Sequence, residues 1–145
     1  MKLRRLMAVR RYSAGQAFVE FTFTAGAFIV LTFAIMEMAL AVLAYNSVSF
    51  AASEAARYAA AFGPNSPNPA TTAQIQQVAI TSAGGLNLTN SNVSVNWVTD
   101  ANLSTRQDVV VKVTYPYVVS IPFLWPHDIN STVNLSSTSQ ILAAQ

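Results

Sequence analysis

One uninterrupted apolar segment limits what this chain can fold into. Residues 17–36 are apolar except for a single acid, Glu20, and three threonines. As an α-helix this segment measures about 30 Å, which is the thickness of the hydrocarbon core of a bilayer. We therefore predict that residues 17–36 cross a membrane once.

The charges that precede this segment predict its orientation. Five of the eight basic residues lie in residues 1–15, which contain no acid: Lys2, Arg4, Arg5, Arg10 and Arg11. Basic residues beside a span stay in the cytoplasm, so we expect a cytoplasmic N-terminus and a periplasmic C-terminal part. A cleaved secretory signal is the alternative, but the apolar region of such a signal is typically about 7–15 residues long.

Composition restricts the rest of the chain. With 145 residues, 52% hydrophobic and 10% charged, the protein is not disordered, and 125 residues remain outside the span, enough for one small domain. The absence of cysteine excludes disulfides and thiolate metal sites. Beyond residue 15 no basic face occurs, so we expect no nucleic-acid partner.

The helical pattern continues past the span. Between residues 16 and 62 only Gly26 disfavours a helix, and Gly63-Pro64 is the first strong stop. Residues 38–62 are rich in alanine, which lets helices approach closely. Larger and polar residues recur there at helical spacing: Leu40, Leu43, Ser47, Phe50, Glu54, Arg57 and Ala61. At about 70 Å, this helix is longer than one small domain covers, so we expect neighbouring copies to cover the remainder.

Residues 63–145 are predicted to form a small exported head of the α+β class. Residues 63–70 are an irregular link, and residues 71–83 have the spacing of a short amphipathic helix. Alternation near residues 93–97, 109–115 and 133–135 predicts a three-stranded antiparallel sheet. Three prolines are expected to keep the connection after the second strand out of any central strand: Pro116, Pro122 and Pro126.

Glu20 lies about one turn inside the predicted span. A charge at the bilayer centre costs about 2.5–3.5 kcal/mol on insertion scales, and less near an interface. The carboxylate either reaches toward lipid head groups or meets a cation within the membrane. Hydropathy leaves these two interpretations equal.

The spacing from Gly15 favours the second interpretation. Gly15 lies at the end of the basic leader, four residues after Arg11, and Glu20 is the fifth residue beyond it. Residues 15–21 (GQAFVEF) resemble the type IV prepilin processing site, where a membrane peptidase cuts after the glycine and the fifth mature residue is glutamate. The motif lies at the cytoplasmic end of a predicted span, as that family requires.

The resemblance extends along the helix to the TadE-like pseudopilins of Tad (Flp-type) pili, over about residues 10–62. Residues 19–21 (VEF), 35–38 (IMEM) and 51–59 (AASEAARYA) are similar to family segments, and Tyr115-Pro116-Tyr117 is similar more weakly. Gly26 stands where the family often has proline, and Ser53 where arginine is frequent. The first departure argues against a kink of the family type in this helix, and the second against one interhelical ion pair.

The resemblance implies a mechanism of assembly. Cleavage after Gly15 would remove a leader of residues 1–15 and leave a cationic amine on Gln16. Glu20, beside Phe21, would neutralise the amine of an adjacent subunit. The implied partners are other pilin subunits (copies of this chain, an Flp-type major pilin or other pseudopilins), a prepilin peptidase, the inner-membrane assembly platform and, before assembly, the lipid bilayer.

Three further charged residues are candidates for subunit assembly. Glu37, at the outer end of the span, is either an interfacial acid that stops the helix from sinking or a partner in an intersubunit pair, and the first is favoured. Glu54 and Arg57 are separated by three residues, which allows a helical ion pair worth about 0.2–0.5 kcal/mol. Their family match implies packing, and local solvation is nearly as well supported.

The sequence does not favour catalysis. General acid–base or metal chemistry needs converging ionisable groups, whereas the exported part has one histidine, His127, in a predicted turn. We therefore expect no enzyme activity, cofactor or metal. Trp97, Phe123, Leu124 and Trp125 are expected in the core rather than in an adhesive patch.

These features predict a TadE-like pseudopilin or minor pilin that supports surface attachment or secretion. The alternative is a single-span envelope protein whose head is a periplasmic binding module and which never enters a filament. A membrane-tethered enzyme is a distant third.

Overall fold

The computed structural model describes residues 2–99, 107–119 and 131–143, with side chains described from Gly15 onward. Two helices are followed by a sheet: α1 (Lys2–Ala61), α2 (Thr72–Ser82), β1 (Val93–Thr99), β2 (Gln107–Val118) and β3 (Thr132–Leu142). A single 3₁₀ turn, Asn90–Asn92, precedes β1. The predicted α+β fold with a long N-terminal helix, a short helix and a three-stranded antiparallel sheet is confirmed.

Helix α1 is continuous over 60 residues, through both Gly15 and Gly26. At about 1.5 Å per residue it is about 90 Å long. It ends at Ala61, close to the predicted stop at Gly63-Pro64, and the amide of Ala70 then donates a hydrogen bond to the carbonyl of Phe62 over 2.9 Å. The irregular link therefore returns the chain to the end of the helix.

Helix α2 is short and capped at both ends. The Thr71 hydroxyl accepts a hydrogen bond from the Gln74 amide, and the Gln74 side chain accepts one from the Thr71 amide, a reciprocal capping box. Gly84 and Gly85 follow the helix with φ angles of 58° and 93°, which side chains disfavour. The buried Ile75 and Ala79 hold α2 against the core.

The sheet has the order β1-β2-β3, with both neighbouring pairs antiparallel. Val111 of the central strand lies opposite Val95 on one side and Ser139 on the other. Because strand side chains alternate between faces, these three share the inner face that packs on the helices. The outer face carries exposed polar residues such as Ser94 and Lys112.

The prediction that Pro116 stays out of the central strand is wrong. Strand β2 runs through Pro116 to Val118, opposite Asn134 at the proline. Pairing with β1 ends where Val93 lies opposite Val113, so Pro116 has a neighbouring strand on one side only. A residue without an N–H group is tolerated in such a position. Pro122 and Pro126 lie outside the described residues.

The core lies between the C-terminal half of α1 and the inner sheet face. Five alanines of α1 are fully buried with Val48: Ala51, Ala52, Ala55, Ala56 and Ala59. They pack with Ile75 of α2 and with Val109, Val111 and Val113 of β2. The larger residues that recur along α1 do not form this face, since Leu40, Leu43 and Phe50 are about half exposed or more.

Candidate assembly helix

The N-terminal half of α1 lies outside the core. From Gly15 to Met36 almost every residue is exposed, and Phe18, Phe21, Phe23 and Phe28 are each 69–77% exposed. The helix from Gly15 to Ala61 is long and apolar enough to cross a membrane. A core helix of a water-soluble domain would have these side chains buried, so the arrangement is consistent with a single-pass membrane protein.

The threonine hydroxyl groups of this segment form hydrogen bonds within the helix itself. Thr22, Thr24 and Thr32 each donate to the carbonyl oxygen four residues earlier, over 2.8, 2.9 and 2.8 Å respectively. In hydrocarbon an unsatisfied polar group costs several kcal/mol, so these bonds suit a lipid environment. Among the side chains described from Gly15 onward, none donates to the Glu20 carboxylate or forms an ion pair with it.

The residues of the predicted processing site lie along one exposed stretch of helix. Gly15, Gln16, Glu20 and Phe21 are all exposed, and apart from the helix's own backbone no described atom lies within 4 Å of a Cβ placed at Gly15. Gln16 and Glu20 are four residues apart and therefore share a face. Cleavage after Gly15 and pairing with an adjacent subunit stay predictions.

Glu37 contacts the head of its own chain. The Tyr117 hydroxyl of β2 donates a hydrogen bond to Glu37 Oε1 over 3.0 Å and lies 3.5 Å from the Glu37 carbonyl oxygen. Burial raises the pKa of Tyr117 above its ordinary value, and the bond to Glu37 and the nearby carboxylate charge raise it further. Neither proposed role for Glu37 includes this contact, and both roles stay predictions.

Tyr117 is the residue of this region whose role the sequence did not reveal. Its similarity to a family segment, in Tyr115-Pro116-Tyr117, was the available signal, but nothing in that segment indicates its partner.

Glu54 and Arg57 form the expected local ion pair. Arg57 Nη1 donates to Glu54 Oε1 over 3.1 Å, and the side chains are 34% exposed for Glu54 and 71% exposed for Arg57. Arg57 is therefore accessible from solvent while it is paired within its own helix. Its predicted part in packing between subunits stays a prediction.

Part of this helix matches a known protein family. Residues 15–57 match the family described as TadE-like protein. This helix is TadE-like. The match confirms the resemblance seen in the sequence and associates the protein with Tad pili and their components. No curated protein and no solved structure gives a significant match to the chain.

The TadE-like segment contains both parts of α1. It begins at the predicted cleavage position, includes the exposed apolar stretch with Glu20 and Glu37, and ends at the exposed Arg57, in the part of α1 whose opposite face carries the buried alanines. It covers less than a third of the 145 residues, and the strands of the head lie outside it.

A groove lies between the TadE-like helix and the lower part of the head, by which we mean the part nearest the apolar segment. Its volume is about 270 Å³, and it is lined by Leu40 and Leu43 of α1, by residues 84–86 after α2, and by Tyr115 and Tyr117. Its lining is mostly apolar in character, and it adjoins the Tyr117–Glu37 hydrogen bond.

Ionisable groups are sparse around the TadE-like helix and the sheet. Among the described residues, no three His, Cys, Asp or Glu side chains come together in a way that would hold a metal ion. Asp108 Oδ2 accepts a hydrogen bond from the Gln140 side chain over 2.9 Å. His127, Phe123, Leu124 and Trp125 lie outside the described residues, and Trp97 is partly buried against the core.

Proposed function

We propose that this protein is a structural subunit, a pseudopilin or minor pilin, of a Tad-type pilus that serves surface attachment or secretion. The TadE-like match supports a place in a Tad system. The observation that carries the structural role is the exposed Glu20 carboxylate within an apolar helix whose three threonine hydroxyls are all satisfied. The role needs neither catalysis nor a cofactor.

Maturation begins with removal of residues 1–15 by a prepilin peptidase at the cytoplasmic face of the inner membrane. Gly15 is exposed and lies four residues after Arg11, the last basic residue of the leader. Glycine is about 1 kcal/mol less favourable than alanine within a helix, so the helix opens more readily at this position than at its alanines. Local opening presents the Gly15–Gln16 bond for hydrolysis.

The new amine on Gln16 then pairs with Glu20 of a neighbouring subunit. An unpaired carboxylate in the bilayer costs about 2.5–3.5 kcal/mol at the centre, and less toward the interface. An unpaired ammonium is also unfavourable there, so bringing the two together removes both penalties. The pair selects neighbours in one axial register, because the amine and the carboxylate are four residues apart along the helix.

Assembly covers the remainder of α1. The head covers only the C-terminal half of the helix, and four phenylalanines of the other half are exposed: Phe18, Phe21, Phe23 and Phe28. In the filament these side chains pack on helices of other pilin subunits, such as an Flp-type major pilin, instead of on lipid. The inner-membrane assembly platform drives this transfer, after which the head lies on the cell-surface pilus.

Two measurements test this function. Mass spectrometry of the mature chain should find Gln16 at its N-terminus. Glu20→Ala should leave membrane insertion and cleavage intact but reduce the amount of this subunit in sheared pili. Thr32→Ala is the control, because it removes a polar side chain of the same apolar segment whose hydroxyl is bonded within its own helix.

Unchanged incorporation of the Glu20→Ala subunit would exclude the pairing role. A mature protein that keeps Met1 in cells with active peptidase, and is absent from pili, would favour the single-span envelope protein with a periplasmic binding module.

A further inference from the structure

The hairpin of β2 and β3 descends along α1 toward the apolar segment. Ser137 Oγ of β3 donates to Ser49 Oγ over 3.2 Å, and Tyr117 reaches Glu37 twelve positions earlier in the helix. Ser137 lies opposite Val113, four residues before Tyr117 in β2. Four strand residues measure about 13 Å and twelve helix residues about 18 Å, so strand and helix run side by side.

The last described residues of this hairpin, which we call the hairpin end, are level with the end of the apolar segment. Glu37 directly follows residues 17–36, and Tyr117 contacts it. Phe33, one turn closer to the N-terminus on the same face, is only partly exposed, unlike the phenylalanines before it. A bilayer that holds residues 17–36 therefore has its outer boundary at the height of Tyr117.

The composition of the hairpin end suits that boundary. Val133, opposite Tyr117 on the inner face, is 48% exposed, and Val118 on the outer face is 54% exposed, so both faces of the hairpin end present apolar side chains. Residues 113–119 and 131–136 contain no charged residue, whereas Asp108 and Lys112 lie toward the opposite end of β2. Tyrosine is enriched at membrane interfaces, where its ring lies among acyl chains and its hydroxyl bonds to polar groups.

We propose that the hairpin end formed by Tyr115, Tyr117, Val118 and Val133 is a membrane-contact surface, resting in the interfacial layer of the bilayer that α1 crosses. This inference depends on the membrane span in the proposed function. It goes beyond that function, because a pilin anchored by its helix alone needs no contact between head and lipid. Before assembly, the contact fixes the tilt of the head relative to the membrane.

Single cysteines test this contact, since the natural chain has none. Val118→Cys and Val133→Cys in the full chain are each labelled with an environment-sensitive fluorophore and reconstituted into phosphatidylcholine vesicles. Leu142→Cys is the matched control, because Leu142 is 46% exposed on β3 at the opposite end. Phe28→Cys reports the span itself.

We expect blue-shifted emission at positions 118 and 133. Lipids spin-labelled near the glycerol end of their chains should quench these probes several-fold more than the probe at 142. Quenching at 133 no greater than at 142, with strong quenching at 28, would overturn the contact and leave the proposed function intact. A blue shift at 133 that spin-labelled lipid does not quench would indicate burial by protein and would also overturn it. Absence of quenching at 28 would overturn the span and the contact together.

Discussion

The Tyr117 hydroxyl and the Glu37 carboxylate are 3.0 Å apart although 80 residues separate them in the chain. Their hydrogen bond joins strand β2 to helix α1 at the lower end of the head. Farther up, the hydroxyls of Ser137 and Ser49 make a second polar contact between sheet and helix. The alanine and valine core between the α-helix and the sheet offers few shape features that fix their axial register, so these two bonds define it.

Removing the Tyr117 hydroxyl should loosen the lower contact. Tyr117→Phe keeps the ring but leaves the partly buried carboxylate without this donor, and we expect a loss of about 1–3 kcal/mol in the free energy of unfolding. Denaturant unfolding of the head in detergent measures it. Tyr115→Phe is the control, because its hydroxyl makes no hydrogen bond among the described residues. Equal losses in both variants would show that the bond to Glu37 contributes nothing specific.

The same bond predicts a dependence on alkaline pH. Folding raises the pKa of Tyr117 above its ordinary value of 10.0, chiefly through burial and then through Glu37. The resulting stability is therefore fully present below pH 10.0 and is lost as pH rises through the folded pKa. Denaturation midpoints of the wild type and Tyr117→Phe should therefore converge once the pH exceeds the pKa of Tyr117 in the folded protein. A difference that stays constant into the alkaline range would contradict the assignment.

The alanine face should not accept larger side chains. Ala55 is fully buried among helix and sheet residues, and Ala55→Leu adds three heavy atoms where none fit, so we expect destabilisation by about 1–3 kcal/mol. Thermal unfolding by circular dichroism measures the effect. Ala61→Leu, at an exposed position in the last turn of α1, is the control and should change stability little. Similar losses for both would place the packing face elsewhere on the helix.

Replacing Arg57 distinguishes a role in the stability of the subunit from a role in its assembly. Because Arg57 is 71% exposed, its pair with Glu54 contributes at most about 0.2–0.5 kcal/mol, and Arg57→Ala should barely change unfolding. The amount of this variant in sheared pili is the second measurement. A marked fall there, with stability retained, is expected if Arg57 packs between subunits as the family resemblance implies. Normal incorporation would restrict Arg57 to local solvation.

Local sequence patterns predicted the elements of this fold well. The stop at Gly63-Pro64, the helical spacing over residues 71–83 and the alternation of valines in β2 each depend on neighbouring residues, and each element formed close to its predicted place. The processing site and the role of Glu20 depend on the same kind of local signal, a short spacing of charge and glycine next to an apolar segment, and both stay predictions.

Contacts across long separations were not predictable in this way. No periodicity connects Tyr117 with Glu37, and helical spacing alone could not show whether the alanines or the leucines of α1 face the sheet. The alanines do, because a closely approaching helix needs small residues on the face that meets the strands. Pro116 was misplaced because the rule against proline in a central strand fails where that strand extends beyond its neighbour.

The part of α1 that the head does not cover limits how the protein could leave the bilayer. Phe18, Phe21, Phe23 and Phe28 are all more than two-thirds exposed, and wetting these four rings would cost about 6–12 kcal/mol, at about 1.5–3 kcal/mol for each. That penalty makes a freely diffusing aqueous monomer vanishingly rare. If the protein is a filament subunit, as proposed, extraction from lipid must be coupled to docking, so that each turn of helix drawn from the bilayer packs at once against another protein.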